Sequence, residues 1–123
     1  HAHSPAATAL SVLRKPVPAF HYMVALIGGT QVPCAEYATF GTQELSDNII
    51  QAISGHSACL MANHGMLAIG SSLAAAYNLA LELESLCAQY SLARQLGEVV
   101  ILTDEEMAAA KAAFAVYGQK NQD

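Results

Sequence analysis

Three histidines in the sequence are spaced in a way that could bind a metal ion. The chain begins HAH, so that one residue separates His1 from His3, and His64 lies in the short sequence NHG. Side chains alternate along an extended segment, so His1 and His3 would point to the same side. Three imidazoles form the ligand set of a catalytic zinc ion that keeps its fourth position open. The spacing also fits a different origin, in which the HAH sequence is a tag remnant or a surface accident and His64 an ordinary turn residue.

Two tyrosines are candidates for proton transfer and for covering a site. Tyr22 lies in an otherwise apolar segment, where a tyrosine either packs in the core with its hydroxyl bonded or serves as a proton donor. Tyr117 lies near the end of the chain, where it either docks by packing or belongs to a closing lid. His21 and His56 have no comparable support, and His56 follows a predicted helix end, where a solvated cap is expected.

Capping residues and apolar spacing predict four helices around these residues. Ser4 is placed as an N-cap with Pro5 at the first helical position, and the sequence TDEE predicts a capping box between Thr103 and Glu106. The predicted helices extend from Pro5 to about Leu13, from Thr42 to Gly55, from Ser71 or Ser72 to Leu96, and from Thr103 to about Tyr117 before Gly118. The third helix is predicted to bury a stripe made of Leu73, Tyr77, Ala80, Leu83, Leu86, Cys87 and Tyr90.

Extended segments alternate with these helices. The sequence ACLMANHGMLAIG predicts a hairpin with a buried first strand, a bend at NHG and a second strand that reaches Ile69. RKPVPAF and TQVPCAEYATFG are also predicted to be extended, because their prolines disfavour helix. Interleaved strands and helices indicate an α/β or α+β architecture.

Composition narrows the classes of function. Apolar residues make up 54% of the chain and charged residues 12%, about half the usual share, which favours an extensive buried interface. Five basic residues in no stripe, with a net charge of −5, argue against nucleic-acid binding. No apolar run approaches the ~20 residues of a membrane span, and the chain start has no signal-peptide pattern. Three widely spaced cysteines among apolar neighbours suit reduced thiols in a cytoplasmic protein.

The motifs taken in order resemble the class II aldolase/adducin family. They are HAH followed by TALS, then PAFHYM, GG, VPCAEYATFGTQELS, NHG and LTDEE, with a tyrosine near the chain end. The resemblance covers essentially the whole chain. It implies an α/β/α layered fold in which helices flank a central, largely antiparallel sheet. Residues 1–123 would form the C-terminal portion of a single domain of this family, with the N-terminal part missing.

The resemblance also implies roles for particular residues. His1, His3 and His64 would be the ligands of the catalytic zinc. Tyr22 would be a proton donor that one subunit presents to the site of its neighbour, and Phe40 would line the same intersubunit site. Tyr117 matches a tyrosine on a mobile C-terminal segment that folds over the substrate. The acid/base glutamate and the groups that hold the substrate phosphate would lie in the missing part, so the chain alone is expected to be inactive.

The activity implied is that of a zinc-dependent lyase acting on a phosphorylated sugar. It would cleave a ketose 1-phosphate of the L-fuculose 1-phosphate type into dihydroxyacetone phosphate and an aldehyde, in a cytoplasmic homotetramer. Other family members leave alternatives with the same zinc: a pentulose-5-phosphate 4-epimerase, a methylthioribulose-phosphate dehydratase or a decarboxylating aldolase. A non-catalytic adducin-like module is a further alternative, which the complete set of three histidines disfavours.

Overall fold

The computed structural model describes residues 1–117, and it contains four α-helices, one 3-10 helix and five short strands in that range. The elements in chain order are α1 (Pro5–Ser11), β1 (Val17–Pro18), the 3-10 helix (Tyr22–Ile27), β2 (Gln31–Val32), β3 (Cys34–Ala35), α2 (Gln43–Ile53), β4 (Ala58–Met61), β5 (Gly65–Ala68), α3 (Leu73–Leu96) and α4 (Asp104–Val116).

The main sheet has the order β3-β4-β5 and is largely antiparallel. β4 and β5 form the predicted hairpin, with Met61 paired to Gly65 and Ala58 to Ala68, whereas β3 lies parallel to β4. An isolated antiparallel bridge between Ala2 and Met66 adds the start of the chain on the free side of β5. β1 and β2 form a separate antiparallel pair. The mixed fold with a largely antiparallel sheet and flanking helices is confirmed.

Three of the predicted helix starts are fixed by their own local residues. The Thr42 hydroxyl accepts a hydrogen bond from the Leu45 N–H, at the start of α2. At the start of α3, the Ser72 hydroxyl accepts a hydrogen bond from the Ala75 N–H at 3.1 Å. At the start of α4, the Thr103 hydroxyl accepts from the Glu106 N–H at 3.1 Å, and the Glu106 carboxylate accepts from the Thr103 N–H at 2.8 Å. The capping box read from TDEE is therefore present. α4 ends at Val116, and the predicted stop at Gly118 lies outside the described residues.

The first helix begins at Pro5 with Ser4 at the N-cap position, as predicted, but ends earlier than predicted. It stops at Ser11 instead of about Leu13, because the backbone turns into the left-handed region at Arg14, where φ is 52°. Ser4 occupies the N-cap position, but its side chain makes no capping hydrogen bond. Instead, the Glu84 carboxylate of α3 accepts hydrogen bonds from the N–H groups of Ala6 and Ala7 in the first turn of the helix.

The hydrophobic core lies between the main sheet and the helices α1, α3 and α4. Its largest fully buried side chains include Ile27, Leu60, Met66, Leu83 and Leu86. The third helix buries Leu83, Leu86 and Cys87 as predicted, with Ala80 and Tyr90 packed against the core at its margin.

The start of the predicted stripe on α3 is wrong for this chain, because Leu73 and Tyr77 are 87% and 61% exposed. Both line an open groove between α3 and the β5 edge, where Ala2, Met66 and Ala68 form the opposite wall, so they are only partly covered. No helix among the described residues is both long and apolar enough to cross a membrane.

Candidate metal centre and active site

The two histidines at the start of the chain are positioned by the pairing of Ala2 with β5. The Ala2 N–H donates to the Met66 carbonyl at 3.1 Å, and the Met66 N–H donates to the Ala2 carbonyl at 3.0 Å. Ala2 packs against the core, so the alternation of an extended segment turns His1 and His3 to the opposite side.

The third histidine is positioned by the turn between β4 and β5. Asn63 adopts a left-handed conformation with φ of 52°, and the His64 N–H donates to the Met61 carbonyl at 3.0 Å. The turn places His64 directly before Gly65, whose neighbour Met66 forms the bridge to Ala2. One hairpin therefore holds His64 and, through this bridge, the segment that carries His1 and His3.

The three imidazoles converge on one point. Their ring centroids lie 5.0 Å apart for His1 and His3, 5.4 Å for His1 and His64, and 4.9 Å for His3 and His64. One nitrogen from each ring can be chosen so that all three lie within 4.8 Å of one another. The Nε2 atoms of His1 and His3 are 3.2 Å apart. Within residues 1–117, this is the one group of three or more histidine, cysteine or acidic side chains with such spacing.

This geometry fits a tetrahedral zinc site. Two imidazole nitrogens at zinc–nitrogen distances of about 2.0–2.1 Å lie about 3.3 Å from each other in a tetrahedron, close to the 3.2 Å between His1 and His3. His1 and His3 are exposed and His64 is half-buried, so a metal ion that these residues held would be accessible to solvent. Three neutral nitrogen donors with an open position are the arrangement of a catalytic site rather than a structural one.

The histidines stand at one side of an apolar cleft of about 770 Å³. Phe40 lines this cleft and is 80% exposed. The other lining residues are Tyr37, Ala38, Gly41, Leu45, Ile49, Met61, Asn63 and Leu67. No lysine or arginine is among the described residues that line the cleft.

Tyr22 and Tyr117 lie away from this cleft. Tyr22 is 52% exposed and is stacked between His21 at 4.6 Å and Phe114 at 6.0 Å between ring centroids. Tyr117 follows the end of α4 and is 88% exposed. Neither is among the residues that line the histidine cleft. The structure therefore brings His1, His3, His64 and Phe40 together. It places Tyr22 against Phe114 of α4 and Tyr117 just after the end of that helix.

Glu84 supports the histidine segment from a distant part of the chain, and the sequence reading missed it. Its two carboxylate oxygens accept hydrogen bonds from the N–H groups of Ala6 at 2.7 Å and Ala7 at 2.9 Å, in the first turn of α1. Partial burial opposes ionisation of Glu84, but the nearby Ser4 side chain and the two N–H groups outweigh it and lower the pKa of the carboxyl group. No local pattern signals this contact, because Ala6 and Ala7 precede Glu84 by 78 and 77 residues.

The chain also matches a family model and several curated and solved relatives. Residues 1–91 match the model described as the class II aldolase and adducin N-terminal domain. A 5-methylthioribulose-1-phosphate/5-deoxyribulose-1-phosphate aldolase of Rhodospirillum rubrum is 47% identical over 122 residues, which are 99% of this chain and 55% of the relative. An L-fuculose phosphate aldolase of Escherichia coli K12 is 40% identical over an alignment of 124 positions, which covers all of this chain and 58% of the relative.

A solved L-fuculose 1-phosphate aldolase has the same fold. It superposes with a TM-score of 0.88 at 47% identity, over 94% of this chain and 54% of that structure. The chain thus spans little more than half the length of the relatives it matches. Those relatives are named as aldolases of sugar phosphates. The match to the family model, which takes in all three histidines and the hairpin that carries His64, shows that the chain belongs to the class II aldolase and adducin family.

Proposed function

We propose that this chain is the C-terminal portion of a zinc-dependent aldolase domain and that it carries the metal-binding half of the active site. The observation that carries the proposal is the convergence of His1, His3 and His64 at the edge of an open cleft. Aldolase names among relatives at 40–47% identity support the same class of reaction. The rest of the domain would be the part of those relatives that this chain does not span.

The three histidines would hold zinc, and the apolar cleft would hold the substrate beside it. Zinc bound there would supply Lewis-acid chemistry, polarising a carbonyl group that the substrate presents. The imidazoles contribute by fixing the position of the ion and by leaving its outward side open to the cleft. Phe40, on the cleft wall, would exclude water and orient the substrate.

The substrate that we propose is a ketose 1-phosphate of the L-fuculose 1-phosphate type. Cleavage would break the bond between C3 and C4 and give dihydroxyacetone phosphate and an aldehyde. The cleft walls are apolar at Phe40, Leu45 and Ile49, which suits the methyl end of such a sugar better than a hydroxylated end. Because the described lining has no lysine or arginine, the phosphate would be held by the part of the protein outside this chain.

A second substrate has specific support. The Rhodospirillum rubrum relative is named for 5-methylthioribulose 1-phosphate and 5-deoxyribulose 1-phosphate, and it is the more similar of the two curated relatives described above. Both compounds are ketose 1-phosphates that end in an apolar group, as L-fuculose 1-phosphate does. The same apolar cleft therefore suits all three compounds. Comparing turnover of the substrates that end in a methyl group with turnover of the longer methylthio substrate would show which length of apolar end the cleft accepts.

Tyr22 is proposed as the proton donor of a neighbouring subunit. In the condensation direction its hydroxyl would donate a proton to the aldehyde oxygen and become a phenolate. In cleavage that phenolate would take the proton of the C4 hydroxyl as the C3–C4 bond breaks. The other proton, added to C3 of the departing fragment, would come from a group outside this chain. Tyr22 is half-exposed and lies outside the cleft of its own chain, which supports action across an interface. We therefore propose a homotetramer, in which Tyr117 helps to cover the substrate.

The cellular location that we propose is the cytoplasm. Cys34, Cys59 and Cys87 are all free thiols in the fold, and two of them are fully buried. Free cysteines are typical of reducing compartments.

The test is an activity and metal assay on the full-length protein. We expect zinc to co-purify with the protein. L-fuculose 1-phosphate and 5-deoxyribulose 1-phosphate are each tested as substrate in an assay that detects dihydroxyacetone phosphate, and we expect at least one of them to release it. A chelator should abolish release of this product and added zinc should restore it. His64→Gln should remove both metal and activity. His56→Gln is the matched control, since His56 bonds the Ser54 carbonyl and does not line the cleft.

Two results would overturn the proposal. Full activity in a protein shown to be free of metal would refute the role of the histidines. Absence of dihydroxyacetone phosphate from both substrates, with zinc bound, would refute aldol cleavage of ketose 1-phosphates and would favour another reaction of the same family.

A further inference from the structure

Two residues near the histidine cleft share an uncommon backbone conformation. Among the described residues, Arg14 and Asn63 are the two non-glycine residues with positive φ, and both have a φ of 52°. Residues other than glycine rarely adopt this conformation, and they keep it where surrounding contacts enforce it. Arg14 Nε donates a hydrogen bond to Asn63 Oδ1 at 2.6 Å, although the two residues are 49 positions apart.

The backbones of these two residues are tied to the same atom. The N–H groups of Arg14 and Asn63 both donate to the carbonyl oxygen of Ser11, each at 3.1 Å. Ser11 is fully buried at the end of α1, so this acceptor does not move with the surface. The turn that leads into His64 is therefore fastened to the C-terminal end of α1 through the main chain and through the Arg14 side chain.

The other end of α1 follows the first two histidines directly. Pro5 begins the helix two residues after His3, and the Ala2 bridge to Met66 ties this end to β5. α1 thus connects the two parts of the metal site: its N-terminal end follows His1 and His3, and its C-terminal end contacts the turn that carries His64. Loss of the Arg14 hydrogen bond to Asn63 would weaken the contact between the end of α1 and the turn that carries His64.

Arg14 also contacts the wall of the cleft. Its guanidinium group lies over the Tyr37 ring at 5.4 Å from the centroid, and both Tyr37 and Asn63 line the cleft. A planar guanidinium can stack on an aromatic ring and donate a directional hydrogen bond at the same time, which a lysine ammonium does less well. The contact thus orients the side chain that holds the turn.

We propose that Arg14 and Asn63 form a positioning pair that fixes the His64 imidazole relative to His1 and His3. The inference rests on the metal site of the proposed function. Neither residue would bind the metal; each would act through the turn that presents His64. Groups that orient a metal ligand usually change metal affinity by about 10- to 100-fold when removed.

The experiment measures zinc affinity on the full-length protein with zinc alone as the probe, by competition with a chromogenic chelator. Arg14→Met removes the donor and keeps an unbranched side chain, and Asn63→Gly removes the acceptor while glycine tolerates the positive φ. We expect each variant to bind zinc about 10-fold more weakly. The double variant should bind no more weakly than either single variant, because the two residues act as one unit. Lys15→Met is the control: it removes one positive charge, as Arg14→Met does, at the neighbouring position, and it should leave the zinc affinity unchanged.

A second measurement separates positioning from general destabilisation. Thermal unfolding of the metal-free variants should match that of the unmodified protein, while the visible absorption of the cobalt-substituted variants should change with the ligand geometry. Equal zinc affinity in all variants would overturn the positioning role and leave the metal site intact, as would losses that multiply in the double variant. Absence of zinc binding in the unmodified protein would overturn the metal site itself, and the positioning role with it.

Discussion

Glu84 provides the sharpest test of how the fold supports the histidine segment. Its carboxylate accepts hydrogen bonds from the first-turn N–H groups of Ala6 and Ala7, at 2.7 and 2.9 Å. A short helix such as α1 has few other means of satisfying these groups, since Ser4 makes no capping hydrogen bond. The contact also places a negative charge at the positive end of the helix dipole.

The expected loss on removing this carboxylate can be worked from the contacts. A hydrogen bond to a charged group contributes about 1.5–3 kcal/mol, and loss of a helix cap costs about 1 kcal/mol. Glu84 is partly exposed, so solvent weakens the charge and the lower part of this range applies. We expect Glu84→Ala to reduce the free energy of unfolding by about 2 kcal/mol. Glu84→Gln should lose about 1 kcal/mol, because one oxygen acceptor and the charge are lost.

The effect should depend on pH in a defined direction. The pKa of Glu84 is lowered in the folded state, so its ionised form stabilises the fold at pH values above the ordinary glutamate pKa. This stabilisation is lost as the pH falls through the lowered pKa. The difference between the unmodified protein and Glu84→Gln should therefore be full near pH 7 and should shrink below about pH 4.

The assay is thermal or urea unfolding of the full-length protein at several pH values. Glu82→Gln is the matched control, because Glu82 is exposed on the same helix and makes no hydrogen bond among the described residues. We expect this control to change stability by less than about 0.5 kcal/mol. Equal stability of Glu84→Gln and Glu82→Gln at pH 7 would refute the capping role, and a loss that grows toward low pH would refute its electrostatic basis.

Three further predictions concern the site and the core. In Gly65→Ala the added Cβ would clash with the carbonyl oxygen of Ala2, which lies between His1 and His3, so we expect weaker zinc binding in a chelator competition. The control is Gly97→Ala, whose Cβ meets no atom and should leave zinc binding unchanged. Tyr22→Phe should lower kcat by about 100-fold or more while zinc content stays constant; unchanged turnover would remove this hydroxyl from the reaction. Burial raises the pKa of the Cys87 thiol to about 12, so a thiol reagent at pH 8 should label the half-buried Cys34 first and reach Cys87 only on unfolding.

Features that depend on a few neighbouring residues were predictable from the sequence. The caps at Thr42 and Thr103 each join residues three positions apart, so the sequence contains both partners of the hydrogen bond. The hairpin around His64 follows from two apolar runs and the turn residues between them. The order of the motifs likewise indicated the family, because family motifs are local patterns with fixed spacing. The roles of His1, His3, His64, Phe40, Tyr22 and Tyr117 stay predictions until metal and turnover are measured.

Contacts between distant segments were decided by the tertiary structure alone. Ser4 has the right residue type for an N-cap, yet Glu84 takes the role because folding brings a charged acceptor to the same N–H groups from 78 positions away. Arg14 and Asn63 both have a left-handed backbone and are joined by a side-chain hydrogen bond across 49 positions, a contact that no local propensity encodes. Leu73 matches a buried stripe by spacing but is exposed, because periodicity specifies which residues share a helix face and only packing decides whether another element covers that face.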